Sequence, residues 1–482
     1  MTVLNCATGT LSPYVPSAER PWNLDRVRHL YRRVGFGATP DELDVALELS
    51  PADLVNQLLD NAFNAPLVEE PEWAYWDYDT FVDNGIDETF PVYVEWMKGF
   101  MQRGMENGPR ERLTIFWHNH FVTKYETYSC PSLMFQYHRI LEGGGFGDFK
   151  QLVYDIGITP AMLFFLNGFE NTQFSPNENY ARELFELFTL GEDNGYTQQD
   201  IVEASRALTG YNGWTTYCGP VEFAQWGLDT GEKTIFGRTG NFGYGELIDV
   251  LFEERGTLIA EFICRKLYMY YVNLEVDEGI VAAMAQTFLA NNFQVGIVLR
   301  ELFLSEHFFD EANMAVLVKS PLDMLMSMHR EGGFGDFENR LEWMFWAAAQ
   351  LGMQLMEPPD VAGWTGDRSW IDSSRLTNRW QTIDGFSWSY QNEDPDVLVR
   401  LARRLTNDSN DTEVIAQAMV DHFVMRGLVG DNAYETARDV LRWDIPITYY
   451  ETGAWNLDWE SAPYQLLLLV QHIARHPEFQ LY

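Results

Sequence analysis

The sequence predicts an all-α protein, a predominantly helical, multi-helix globular body carrying one small β-hairpin insertion. Three observations predict it. Apolar residues recur at helical spacing in one segment after another. Helix-start signals recur with them, as in Thr39-Pro40-Asp41-Glu42, where a hydroxyl cap precedes proline at the first helical position. Strand-like alternation is confined to residues 221–236.

In chain order, residues 23–34 read as a first helix, broken by the turn Gly35-Phe36-Gly37. Thr39 caps a second helix and Pro51 opens a third. Residues 65–90, rich in Trp, Tyr and acids, read as a connecting loop or lid. Helical spacing resumes over 91–103, 110–121, 132–142, 149–157 and 160–166. The corner GGGFGDF at 143–149 follows a helix rather than a strand, which weakens any dinucleotide-binding reading. The segment 221–236 alternates around Asp229-Thr230-Gly231 as a hairpin. Helices resume at Gly245 and continue over 257–272, 277–290, 295–305, 321–329 and 342–351, before a loop marked by Pro358-Pro359. A polar linker, GFSWSYQNEDPD, precedes helices at 397–406, 412–423, 434–441 and 462–475. The domain organisation expected is an N-terminal extension (1–22), a main helical domain (23–380) and a C-terminal helical extension packed on it (381–482).

Composition narrows the function. With 71 acidic against 33 basic residues the formal net charge is −38, so nucleic acid and anionic membrane surfaces are disfavoured partners. Only six of the basic residues are lysines, a pattern that fits either adaptation to high salt or an ordinary acidic, soluble protein. The first residues carry neither a basic region nor an apolar run of signal-peptide length, and the longest apolar stretches, such as 464–470, are too short to span a bilayer. A cytoplasmic location is the default expectation, with export the alternative. The cysteines, Cys6, Cys130, Cys218 and Cys264, form no CxxC and argue against a zinc ribbon or iron–sulfur cluster. Cys264 reads as a buried thiol in an apolar helix, while the others cannot be paired by inspection.

Residues 175–214, SPNENYARELFELFTLGEDNGYTQQDIVEASRALTGYNGW, hold the most specific information. Ser175 or Asn177 can cap a helix on which Asn179, Arg182, Glu183 and Glu186 share a face at about 100° per residue. Gly191 can end it, and Thr197 with Asp200 forms a capping-box pattern for a second helix, which makes a helix hairpin. This segment closely resembles the signature of the bacterial domain of unknown function 1800 family. The resemblance extends through HLYRRVGFGATPDEL at 29–43, RERLTIFWHNHFVT at 110–123, RKLYMYYV at 265–272, LVKSPLDM at 317–324 and EPPDVAGWTGDRSWIDSSRL at 357–376. It implies relatives rather than a reaction. It also implies a protein partner, from a family related to sulfatases and alkaline phosphatases encoded beside such proteins, and a route of export. Asn167 and Leu228 depart from the family pattern, which has aspartate and histidine there, and neither is carried over as a ligand.

The residues themselves suggest where chemistry would lie. His118 and His120 sit in Trp117-His118-Asn119-His120-Phe121, about 200° apart on a helix, so they can share a metal only if the backbone turns between them. Joined to Glu183 and Glu186, and to Glu178, they would give a mixed N/O site suited to zinc, iron or manganese. Glu183, Arg182 and Asn179 are then the catalytic candidates, Arg182 clamping an anion, and metal-assisted hydrolysis or oxidation is the expected chemistry. The competing reading makes the same residues a buried structural network in a non-catalytic binding or assembly protein. Asp360, Trp364, Asp367 and Trp370 either wall a pocket or pin a structural loop. His472 and His476 share a helix face but lack the glutamate of HExxH. No GxSxG, Walker or kinase pattern is present.

Overall fold

The computed structural model describes residues 9–214, 216–335 and 339–482, so Cys6 and the start of the N-terminal extension lie outside the described residues. Its helices run from Leu24–Val34 to Ala462–Ala474, and the strands named among the described residues are four pieces of two or three residues. The fold is therefore predominantly all-α, as the sequence predicts. By compactness the chain divides into two units. One comprises the residues up to Leu54 with Glu306–Met353 and Thr365–Tyr482, the other Val55–Ser305 with Gln354–Trp364.

In the second unit the helices Phe90–Asn107, Pro109–His120 and Pro131–Gly144 pack on one another. Gly108, at φ +57°, separates the first two, and proline opens both of the others. Trp117 is fully buried and its indole N–H donates to the Gly145 carbonyl (2.8 Å). A Cβ on Gly145 would stand 2.9 Å from Trp117 Cδ1, so the glycine-rich corner is a close-packing device. Tyr244–Tyr271 is one continuous helix of 28 residues where two were expected. Gly256 does not break it, since an interior glycine costs only about 1 kcal/mol and this one packs beneath Phe293.

The β insertion is present, with a different register from the one expected. β1 (Gly213–Trp214) pairs with β2 (Val221–Glu222), and β3 (Lys233–Ile235) with β4 (Arg238–Gly240), both antiparallel. The tight turn falls at Phe236-Gly237, both at positive φ as a two-residue type I′ loop requires. Asp229 is engaged elsewhere. Its carboxylate takes the Gly231 N–H (2.8 Å) and the Arg206 guanidinium (2.8 Å), which fixes an Asx turn instead of a hairpin loop.

In the first unit the helix Leu24–Val34 buries four arginines, Arg26, Arg28, Arg32 and Arg33. Arg32 grips Glu331 with two bonds (2.6 and 2.8 Å). Arg28 donates to His422 Nδ1 (3.1 Å), and the opposite ring nitrogen of His422 donates to the Glu331 carbonyl (2.7 Å). Both rings of bonds require a neutral imidazole, and burial lowers the His422 pKa to about 4. The expected polar linker is mostly helix. Ser373–Glu393 runs through it and packs on Ala462–Ala474, because Phe386 and Tyr390, four residues apart, give it a buried stripe.

Candidate functional site

The signature hairpin begins where Asn177 Oδ1 accepts the Asn179 N–H (2.9 Å), relieving one free donor at the helix start. The α-helix Asn179–Glu183 then passes directly into a π-helix, Leu184–Thr189. Its wide turn is closed by Leu190 N–H to Phe185 O (2.8 Å) and by the Thr189 hydroxyl on Leu184 O (2.5 Å). The second helix opens at the predicted capping box, Thr197 with Asp200.

Arg182 is the centre of the polar row. It donates to Glu186 (3.2 Å), to Glu178 (3.1 Å) and across the hairpin to Gln198 (3.0 Å), and Gln198 returns a bond to Glu178 (2.7 Å). The row is not buried as the structural reading supposed. The side chains of Arg182 and Glu178 are 37% and 39% exposed, and solvent screens their attraction. Asn179 points away from the row and donates to the Leu166 carbonyl (3.1 Å). Glu183 is half-buried and has no side-chain hydrogen-bond partner among the described residues. Burial, reinforced by the Glu186 charge and opposed by Arg182, raises its pKa.

The two histidines of the helix Pro109–His120 are both buried and turn to different neighbours. His118 Nδ1 lies 3.1 Å from the Tyr137 hydroxyl, whose single proton goes to the Phe121 carbonyl (2.5 Å). Nδ1 of His118 is therefore the donor, and Nε2 is a buried lone pair without a protein partner. Burial, with a smaller contribution from His138, lowers its pKa to about 3. His120 Nε2 donates to Phe188 O (3.0 Å), inside the π-helix, while Nδ1 accepts from Lys266 Nζ (3.0 Å). Both ring nitrogens of His120 are thus occupied. Burial, then the Lys266 charge, holds its pKa well below the usual value.

Among the described residues no three His, Cys, Asp or Glu side chains are grouped so as to hold a metal ion. The expected donors do not converge: His118 turns to Tyr137, His120 to Phe188 O and Lys266, and Glu186 to Arg182. Two contributions escaped the sequence. Lys266 lies in the Arg265-Lys266 pair of a family-like segment, which was the available signal. His138 Nδ1 lies 3.4 Å from the Glu142 carboxylate four residues on, on Pro131–Gly144, and Arg103 binds Glu142 (2.8 Å).

The other candidates make contacts within their own units. Asn119, between the two histidines, donates to Trp364 O (3.2 Å) and accepts from Trp364 N–H (2.6 Å), with Gly363 at φ +84° against it. In the first unit Asp367 accepts the Val318 N–H (3.0 Å), Trp370 is buried, and His472 and His476 meet Nε2 to Nε2 (3.2 Å). Cys130 and Cys218 form a disulfide, with Cα atoms 5.6 Å apart, and Cys264 is a buried free thiol.

Fold and site together define a helical protein with a helix hairpin that contains a π-turn, flanked by a buried histidine and the partly buried lysine bonded to it. The chain belongs to the family described as Protein of unknown function (DUF1800), which it matches over residues 29–481. No curated protein and no solved structure matches it. Among the described residues no helix is long and apolar enough to cross a membrane.

Proposed function

We propose that this is a non-catalytic binding or assembly protein of an oxidising compartment, in which the signature segment fastens a helix hairpin. One observation carries the reading: Arg182 is paired with two carboxylates, Glu178 and Glu186, and bridges the hairpin to Gln198, so its charge is already balanced within the segment. The Cys130–Cys218 disulfide supports export over a reducing cytoplasm. The partner to test first is the sulfatase- or alkaline-phosphatase-like protein that the family resemblance implies. Elemental analysis of untagged protein and of Glu183→Ala tests the reading. Neither should contain stoichiometric zinc, iron or manganese. A metal present in the parent and lost in the variant would overturn it in favour of a metal-dependent hydrolase or oxidoreductase.

A second reading, an enzyme that uses an amine, is favoured by Lys266. Burial lowers its pKa to about 8, so a substantial fraction is the neutral nucleophile under mildly alkaline conditions. Such an amine adds to a carbonyl carbon and expels water, giving an imine that borohydride reduces to a stable amine. Trapping with small aldehydes, mapped by mass spectrometry, should then mark Lys266 ahead of the other lysines. Equal labelling of all of them ends this reading.

A further inference from the structure

The helices Arg340–Gln350 and Ser373–Glu393 leave between them a groove of about 530 Å³ in the first unit. That is within the range of small-ligand sites, about 300–1,000 Å³. One wall is a helix face at i, i+3 and i+7, namely Trp343, Trp346 and Gln350. The other is Asn378, Gln381 and Thr382, at i, i+3 and i+4 of the facing helix. The buried Ala347 and Leu351 complete the lining, which contains no charged side chain.

Three features converge on one ligand chemistry. The lining is neutral in a chain of net charge −38, so an anion meets repulsion from the surroundings and a cation finds no carboxylate in the groove. Two indoles are presented together. Trp343 is held by stacking on Phe386 (centroids 5.2 Å apart, planes at 19°), and Trp346 is 37% exposed. Between them the polar residues offer three amides and a hydroxyl, groups that both donate and accept. The side chains of Gln350, Asn378, Gln381 and Thr382 make no hydrogen bond to other described residues. Aromatic faces flanked by uncharged donor–acceptor groups match a pyranose ring, whose C–H face is apolar and whose rim of hydroxyls both donates and accepts.

We propose that the groove between these two helices is a binding site for a neutral oligosaccharide. One sugar ring lies on the exposed indole of Trp346, and its hydroxyls bond to the amides of Gln350, Asn378 and Gln381. The site is separate from the signature hairpin and does not depend on the reading given to that segment.

The test uses the full chain. Tryptophan fluorescence and calorimetric titrations are run with hexasaccharides from cellulose, starch, mannan and chitin, with oligogalacturonate as the charged control and an unrelated neutral peptide as a second control. At least one neutral sugar should bind and outcompete both controls. Trp346→Ala should weaken that binding by about tenfold or more, equivalent to about 1.4 kcal/mol. The double change Asn378→Ala with Gln381→Ala should do the same, with melting temperature and circular dichroism unchanged in both. Failure of every neutral sugar to bind at millimolar concentration overturns the proposal, as does binding that both variants retain. Tighter binding of the charged sugar or the peptide also overturns it.

Discussion

Lys266 Nζ stands 3.0 Å from His120 Nδ1, and the far nitrogen of the same ring donates to a carbonyl inside the π-helix, so one imidazole ties a lysine to the irregular turn of the signature segment. The ammonium needs this acceptor because burial has removed most of its water, and its pKa falls to about 8. The pH dependence of acylation at Lys266, followed peptide by peptide, should therefore have its midpoint near pH 8. A midpoint near the 10.5 of an ordinary lysine would show that the amine is solvated. His120→Ala removes the acceptor and should lower the midpoint further.

The disulfide offers a second measurement. Cys130 and Cys218 are 88 residues apart in sequence, and the chain entropy that such a cross-link removes from the unfolded state is worth about 4.6 kcal/mol. Denaturant unfolding of the Cys130→Ser, Cys218→Ser double variant should show a stability loss of about that size, along with higher sensitivity of the segment 213–240 to proteolysis. Equal stability in the oxidised and reduced protein would remove the main argument for an oxidising compartment.

Local chemistry was legible in the sequence and long-range pairing was not. The Thr39 cap and the Thr197–Asp200 capping box form as the spacing dictates, because every atom involved lies within four residues. The helical character of the chain and the buried state of Cys264 were equally readable from periodicity. His120, in contrast, finds its lysine 146 residues away and its carbonyl in a π-turn that no side-chain pattern announces. The face shared by Asn179, Arg182, Glu183 and Glu186 was read as one site, yet backbone carbonyls compete for the same donors, and Leu166 O wins Asn179. The supposed linker failed for a related reason. Polar composition concealed Phe386 and Tyr390, whose spacing is helical.

The two ionic clusters should respond very differently to mutation. Arg32 and Glu331 are 1% and 4% exposed, whereas Arg182 and Glu186 are 37% and 20% exposed. Glu331→Ala leaves a guanidinium buried without its counter-charge and should cost about 3–5 kcal/mol. Glu186→Ala breaks a screened i,i+4 pair and should cost under about 1 kcal/mol. Urea unfolding of the two variants settles the comparison. A larger loss at Glu186 would mean that the Arg182–Glu186 pair is far less screened than its exposure implies.

Acid should destabilise the fold from near neutrality. Burial holds His118 at about 3 and His422 at about 4, against 6.5 for the exposed ring. Between these values the unfolded chain binds more protons, so stability falls as pH drops from 6.5 towards 4. Glu111, pushed up to about 7 by burial, acts in the opposite sense between 4.5 and 7, since there the folded chain holds the extra proton. Burial also raises Asp25, Glu183 and Glu357 and lowers His29, His120 and His472, and the imidazoles prevail because His29 and His120 are held well below the usual value. Glu142 is held at about 2 by His138 and Arg103 against the cost of burial, and its contribution disappears as pH falls below 4.5. Melting temperatures should decline steadily from pH 7 to 4, with a shallower slope in His422→Gln. A flat profile would place these rings in water.

Salt should act in the other direction. The 71 acidic and 33 basic residues leave a large unpaired negative surface, and short-range pairs such as Arg404 with Asp41 and Asp44 neutralise only part of it. At low ionic strength the remaining carboxylates repel over a Debye length of about 10 Å or more, and at 1 M over only about 3 Å. Screening weakens the exposed ion pairs as well, but each of those is worth under about 1 kcal/mol, while repulsion sums over the whole excess. Stability should therefore rise between dilute buffer and molar potassium chloride. An unchanged melting temperature across that range would show that the acidic surface is merely solubilising and that the protein is not fitted to high salt.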